Sequence, residues 1–252
     1  MAKIFTDHKE RWLTGIGLLL LVGFIGWIDN FFTMWLFLGV VYILAFYEAM
    51  QLFKLASSSM YFWAVSLWLI AYFYPNPDDL FFLIAIIFGS LVAFTRSFNP
   101  KLLLPFLYPA SGVLFFLVIY QDYGINAMIW LLVIVAMTDV GAFFTGKAIG
   151  SRQFCETSPN KTWEGVIGGV VFATISGTYA GLFMIEWYLS LIISLLVAIS
   201  SIYGDLFESF LKRRAGVKDS GNILPGHGGV LDRIDGYLFG AIVMVIMLRA
   251  IN

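Results

Sequence analysis

The chain has 252 residues, 60% of them hydrophobic and only 12% charged, with a mean hydropathy of +0.88 and a formal net charge of −1. Soluble domains run near a quarter charged, so this composition excludes an ordinary soluble fold and points to a polytopic membrane protein. A single cysteine, Cys155, excludes an intramolecular disulfide and any multi-cysteine zinc site.

A spanning helix needs roughly 20 apolar residues. Candidate spans cover 12–28, 31–47, 60–74, 80–95, 102–120, 125–149, 164–185, 187–204 and 236–251. The expected fold is therefore all-α, a polytopic integral membrane protein with about nine transmembrane helices. The first run follows Lys3, Lys9 and Arg11 and lacks a small-x-small cleavage site after it, so it reads as a retained helix and not a signal peptide. Spans 31–47 and 80–95 carry no charge and many Phe and Leu, as lipid-facing scaffold does. Pro75, Pro77, Pro100 and Pro159 fall between spans, whereas Pro105 and Pro109 fall inside the fifth and should kink it. Gly165, Gly168, Gly169, Gly177 and Gly181 give the seventh span a small-residue face, suited either to close helix packing or to a substrate groove.

Charge fixes the expected orientation. With the N-terminus cytoplasmic, every Lys and Arg except Arg249 falls on the cytoplasmic side, and the opposite loops hold only acids: Asp29, Asp78, Asp79, Asp122 and Glu186. That segregation obeys the positive-inside rule and places the C-terminus on the far side. Residues 1–120 read as a scaffold of helices and 121–252 as a catalytic region. The two long polar loops, 147–163 and 205–235, are both cytoplasmic and hold the chemistry.

The second loop opens with Asp205 and gathers Lys212, Arg213, Arg214, Lys218, Asp219, His227, Asp232, Arg233 and Asp235 among Gly and Pro. Cations suited to phosphate beside carboxylates suited to a metal imply an anionic, metal-bound substrate at a membrane surface. There is no Cys or His cluster of the kind zinc wants, whereas carboxylates, water and phosphate oxygens are the ligand set of Mg²⁺. His227 stands open between metal ligand, substrate contact and loop structure. In Pro225 to Gly229 the glycines, Gly228 and Gly229 among them, would let backbone N–H groups approach an anion. In the first loop, Ser158 and Thr162 either donate to phosphate or cap a helix. Lys161 is a mobile cation, Trp163 an interface anchor that could stack on a base, and Glu164 either a helix-opening acid or a substrate contact. Asp139, within an apolar run, is either functional or structural, paired with Lys147 or capping a neighbouring helix.

The run Ser209-x-Leu-Lys212-Arg213, Lys218-Asp219-x-Gly221, Leu224-Pro225-x-His227-Gly228-Gly229-Val230-x-Asp232-Arg233-Ile-Asp235 resembles the signature of the phosphatidate cytidylyltransferases, or CDP-diacylglycerol synthases. Asp139-Val-Gly-Ala, Ser158-Pro-Asn-Lys161-Thr-Trp-Glu164-Gly and Gly204-Asp205-Leu-Phe-Glu208-Ser209 resemble the same family. The resemblance covers roughly 139–236; the N-terminal half matches only as hydrophobic spans. It implies the reaction of CTP with phosphatidate to give CDP-diacylglycerol and pyrophosphate, for phospholipid biosynthesis in a bacterial inner membrane. It also implies dependence on Mg²⁺, with a monovalent cation such as K⁺ beside it, and a homodimer; no nucleic-acid partner is expected. On that basis Asp205 and Asp232 are expected to hold Mg²⁺, with Asp219 and Asp235 as further ligands or behind them. Lys212, Arg213, Lys218 and Arg233 would clamp phosphates, with His227 beside them. Ser158, Lys161, Glu164, Ser209, Gly228 and Gly229 would contact substrate.

Rival readings are a CTP-dependent lipid kinase, a transporter and a lipid-binding scaffold. A transporter would place its charges near the bilayer midplane, often in repeated halves. Here they cluster on one surface without an internal repeat. A scaffold would need only the basic cluster and leaves the acids unexplained.

Overall fold

The computed structural model describes residues 2–96 and 98–251, with residues 2–11 as backbone only. The side chains of Lys3, Lys9 and Arg11, on which the expected orientation partly rests, lie outside the described residues. The described chain is helical throughout: α1 Ala2–Ile28, α2 Phe31–Leu52, α3 Ser59–Phe73, α4 Asp79–Thr95, α5 Ser111–Ile149, α6 Trp163–Gly181, α7 Trp187–Ala215 and α8 Leu231–Ile251. Among the described residues, four stretches are long and apolar enough to cross a membrane: Phe31–Leu52, Pro100–Ile149, Trp187–Ala215 and Leu231–Ile251. Trp12–Ile28, Ser59–Phe73 and Asp79–Thr95 are shorter apolar helices.

The breaks fall where the sequence places turn chemistry. Asp29 adopts φ 43°, and the Asn30 side chain accepts from the Phe32 and Thr33 amides, so two residues suffice to restart the chain as α2. Pro75 and Pro77 separate α3 from α4. The expected kink at Pro105 and Pro109 is present, because Tyr108 leaves helical geometry (φ −151°, ψ 120°) and α5 restarts at Ser111. Gly124, at φ 74°, interrupts α5 between the two apolar runs read there as separate spans.

Helix and hydropathy part company at α7. The expected span ends at 204, yet the helix continues through Ala215, so Asp205, Glu208, Ser209, Lys212 and Arg213 lie on a helix and not in a loop. The apolar run ends near residue 204, whereas the helix runs on into Lys212, Arg213 and Arg214, cations that suit the negative end of its dipole. The loop proper is 216–230, and its counterpart between α5 and α6 is 150–162.

The chain forms two compact units, residues 1–117 with 215–233, and residues 118–214 with 234–252. The loop 216–230 thus clusters with the N-terminal helices, which the division at residue 120 does not anticipate. In the first unit the core is aromatic. Tyr42 stacks on Trp68 at 4.9 Å, Phe46 meets Phe106 at 4.9 Å, and Phe88 meets Phe106 at 5.2 Å. In the second unit α6 presents Gly165, Gly169, Ala173, Gly177 and Gly181 as a buried stripe. A Cβ on Gly169 would lie 2.6 Å from the Thr138 carbonyl of α5, and one on Gly177 2.7 Å from the Ser194 hydroxyl of α7. The small-residue face is therefore a packing face, since only glycine admits so close a backbone approach.

Candidate functional site

In the first unit the loop 216–230 is shaped by two carboxylates. Asp232, in the first turn of α8, turns its Oδ2 back to accept from the amides of Ser220 (2.9 Å) and Gly229 (2.8 Å). Glu48, fully buried on α2, accepts from the Ser220 hydroxyl (3.0 Å) and from the Val230 (2.9 Å) and Leu231 (2.8 Å) amides that open α8. Opening amides of a helix need acceptors, and here a distant acid supplies them. Gly228 requires its glycine twice over. Its φ is +82°, and a Cβ there would lie 2.7 Å from Asp232 Oδ2. Leu224 and Gly228 close a short antiparallel bridge beneath the turn.

This loop lines a cavity of about 550 Å³ with Lys218, Asp219, Asn222, His227, Gly228 and Arg233 among its walls, a volume in the range of small-molecule sites. Arg233 donates Nε (3.0 Å) and Nη2 (2.8 Å) to the His227 carbonyl, which uses one edge of the guanidinium to hold the turn. The His227 ring lies 3.5 Å from the Pro225 carbonyl, and Thr14 of α1 donates to that same carbonyl at 3.1 Å. The Gly229 amide is engaged by Asp232, which assigns that glycine to the shape of the loop.

The second unit holds a different chemistry. A Cβ on Gly204 would lie 2.5 Å from the Asp235 carbonyl, so α7 and α8 cross at backbone contact and Asp205 comes beside Asp235. Lys161 forms an ion pair with Asp205, and Ser209 donates to Asp205 Oδ1 at 3.4 Å. Lys212 lies 3.5 Å from the buried Glu208. Asp235 lies within electrostatic range of Glu208, Asp205 and Asp139. Asp139, Lys147, Asn160, Lys161 and Thr162 line a cavity of about 440 Å³. Its floor is the Gly146–Gly165 approach between α5 and α6, where a Cβ on Gly165 would meet the Ala142 carbonyl at 3.0 Å.

Glu164 braces the loop that precedes it. Its carboxylate accepts from the Ser151 hydroxyl (2.7 Å) and from the amides of Ser151 (3.1 Å) and Arg152 (3.3 Å), closing the loop 150–162 onto α6. Thr162 caps α6 through the Gly165 amide. Trp163 packs edge-on against Phe154, 4.6 Å between ring centres. Ser158 closes a local turn through its carbonyl to the Lys161 amide.

Of the residues expected to act, Lys218, Asp219, His227, Gly228 and Arg233 share the first cavity, with Asp232 and Gly229 immediately behind it. Asp205, Ser209, Lys161, Lys212 and Asp235 belong to the second unit. Arg213 is exposed beside Lys212. Glu48 was missed. Its signal was nevertheless present, as the only acid in the apolar stretch 31–52, and such acids are functional candidates by default.

Among the described residues, no group of three or more His, Cys, Asp or Glu stands at metal-ligand spacing. Mg²⁺ keeps several waters and takes one or two carboxylates together with substrate phosphates. The second unit offers the suitable donors, since Asp139, Asp205, Glu208 and Asp235 outnumber the two paired lysines, Lys161 and Lys212.

The model of the Cytidylyltransferase family matches residues 9–251. The phosphatidate cytidylyltransferase of Helicobacter pylori strain J99 is 44% identical over 244 residues, covering 96% of this chain and 92% of that protein. The one of Thermotoga maritima is 32% identical over 234 residues, covering 85% and 87%. That of Bacillus subtilis is 46% identical over 123 residues, about half of each chain.

Proposed function

The chain belongs to the cytidylyltransferase family, and we propose how its own residues carry out that family's transfer of the cytidylyl group from CTP to phosphatidate. The products are CDP-diacylglycerol and pyrophosphate, and the enzyme is a nucleotidyltransferase of phospholipid biosynthesis. The observation that carries the mechanism is the signature loop itself, glycine-rich, fixed by two carboxylates, and lining a cavity with Lys218 and Arg233.

The phosphate of phosphatidate is already an anionic nucleophile, so no serine, cysteine or lysine nucleophile is needed. One of its oxygens bonds to the α-phosphorus of CTP as the α–β phosphoanhydride bond breaks, and the electron pair leaves on pyrophosphate. Catalysis then reduces to in-line placement and to neutralising charge on the leaving group. On the loop, Lys218 and the free edge of the Arg233 guanidinium are the cations for phosphate oxygens, with His227 beside them. In the second unit Lys161, Lys212 and Arg213 have the same role, and Ser158 and Ser209 add hydroxyl donors. Asp205 holds Lys161 at the cavity wall, which orients an otherwise long and mobile cation.

Mg²⁺ bound by Asp205 and Asp235 would supply charge neutralisation at the triphosphate, with K⁺ as its monovalent companion. Asp219 stands at the loop cavity as a further carboxylate. Asp232, whose Oδ2 accepts two loop amides, is a further carboxylate beside that cavity.

The reading places about nine spans in the inner membrane, with the N-terminus and both polar loops cytoplasmic, the C-terminus opposite, and the protein a homodimer. The charge segregation of the sequence supports the topology. Alkaline phosphatase fused after residue 251 should be active outside the cytoplasm; activity confined to a cytoplasmic reporter removes this topology.

The reaction is tested with purified protein, radiolabelled CTP, phosphatidate and Mg²⁺. Label entering the lipid phase with equimolar pyrophosphate supports it. Labelled CDP with an unlabelled lipid phosphate would instead indicate a lipid kinase.

A further inference from the structure

We propose that Glu48 is a positioning residue for catalysis, holding the signature loop in its working shape from a helix that carries none of the signature. The proposal rests on the cytidylyl-transfer reading above.

Both carboxylate oxygens of Glu48 are occupied. Oε1 accepts from the Val230 amide, and Oε2 accepts from the Ser220 hydroxyl and the Leu231 amide. All three donors come from the two ends of one short stretch, residues 220 and 230–231. Ser220 is itself shared, its hydroxyl on Glu48 and its amide on Asp232. The residues just before Ser220 are Lys218 and Asp219, and those just after Leu231 are Asp232 and Arg233, so one buried side chain fixes both flanks of the cavity wall. A buried charged group is costly unless fully hydrogen-bonded, and here every bond it makes is to this loop.

The glycines nearby are shaped to the same carboxylate. A Cβ on Gly221 would lie 2.5 Å from Glu48 Oε1, and one on Gly229 2.5 Å from Oε2. Two glycines of the signature are therefore required because a carboxylate from α2 occupies the space where their side chains would be. This gives them a reason distinct from contact with substrate.

The test compares Glu48→Gln, Ser220→Ala and Tyr42→Phe in the full-length enzyme, reading folded yield, melting temperature, kcat and KM for both substrates. Gln keeps the size of Glu but turns an N–H group toward an N–H or O–H donor, so one contact to the loop is lost. The expected result is a folded Glu48→Gln protein whose kcat falls about 10- to 100-fold, with smaller changes in KM, as slight misplacement of catalytic groups produces. Ser220→Ala should show the same split at smaller amplitude, and the double variant should lose less than the product of the two, because both remove one contact. Tyr42→Phe, on the same helix and with its hydroxyl lacking a hydrogen-bond partner among the described residues, should keep native kcat. Native kcat per folded molecule in both Glu48→Gln and Ser220→Ala overturns the proposal. If Glu48→Gln does not fold, native kcat in Ser220→Ala alone does so. Absence of labelled lipid from the unaltered enzyme would instead remove the reading of the reaction.

Discussion

Two sets of carboxylates, one in each unit, are used in opposite ways. In the first, Glu48 and Asp232 accept five hydrogen bonds from loop donors, four of them backbone amides, so the acids act as structural supports for a glycine-rich turn. In the second, Asp205, Glu208 and Asp235 sit on two crossing helices and face side-chain cations and one another. A loop has little shape of its own and needs acceptors for its amides. A helix satisfies its interior amides, so acids along it can turn to a loop, as Glu48 does, or to a cation, as Asp205 does. The same residue type thus supports loops through Glu48, Asp232 and, in the second unit, Glu164, while Asp205 and Glu208 meet side-chain cations.

Removing the metal should test the second unit most severely. EDTA is expected to abolish transfer of label into lipid, and added Mg²⁺ to restore it; undiminished transfer in EDTA would take away the role given to its acid cluster. Asp205→Asn should lower kcat at least ~10²-fold with the melting temperature nearly unchanged, the scale of losing one electrostatic contact in an active site. Near-native turnover in a folded Asp205→Asn protein would unseat Asp205 as a functional acid.

Asp232 separates the two uses directly. Asn retains a carbonyl oxygen that can accept from Ser220 and Gly229, whereas Ala retains none. If Asp232 mainly supports the loop, Asp232→Asn should stay within about tenfold of native activity while Asp232→Ala falls further, since a supporting hydrogen bond is worth about 1 kcal/mol or somewhat more. Equal and severe losses in both would move Asp232 to the metal.

The smallest effect should be at the far end of the second unit. Arg249 and Asp122 form a pair at 3.7 Å, each about a third exposed. Screening limits such pairs to about 0–1 kcal/mol, so Arg249→Ala should shift melting slightly and leave turnover intact. A marked loss of turnover would show that this end communicates with the site.

Much of this was legible in the sequence, because the relevant signals are local. Apolar runs, proline breaks and the cation distribution mark the helical membrane class. The Asn30 cap, the Pro105–Pro109 kink and the Gly124 interruption follow from the conformational limits of single residues. The run from Ser209 to Asp235 resembles the phosphatidate cytidylyltransferase signature, and the family match bears that resemblance out.

Other features appeared only in the tertiary structure. That α7 continues to Ala215, carrying Asp205 and Lys212 on one helix, could not be taken from hydropathy, which reports the bilayer and not the helix. Arg249, the exception to the charge segregation, found its counter-charge in Asp122, more than a hundred residues earlier in the chain. Glu48 reaches its donors across 172 to 183 residues, and no local pattern encodes a hydrogen bond of that span. The sequence determined which groups are available to the reaction. Tertiary packing decided which acids are bound up in backbone amides and which remain to meet a cation.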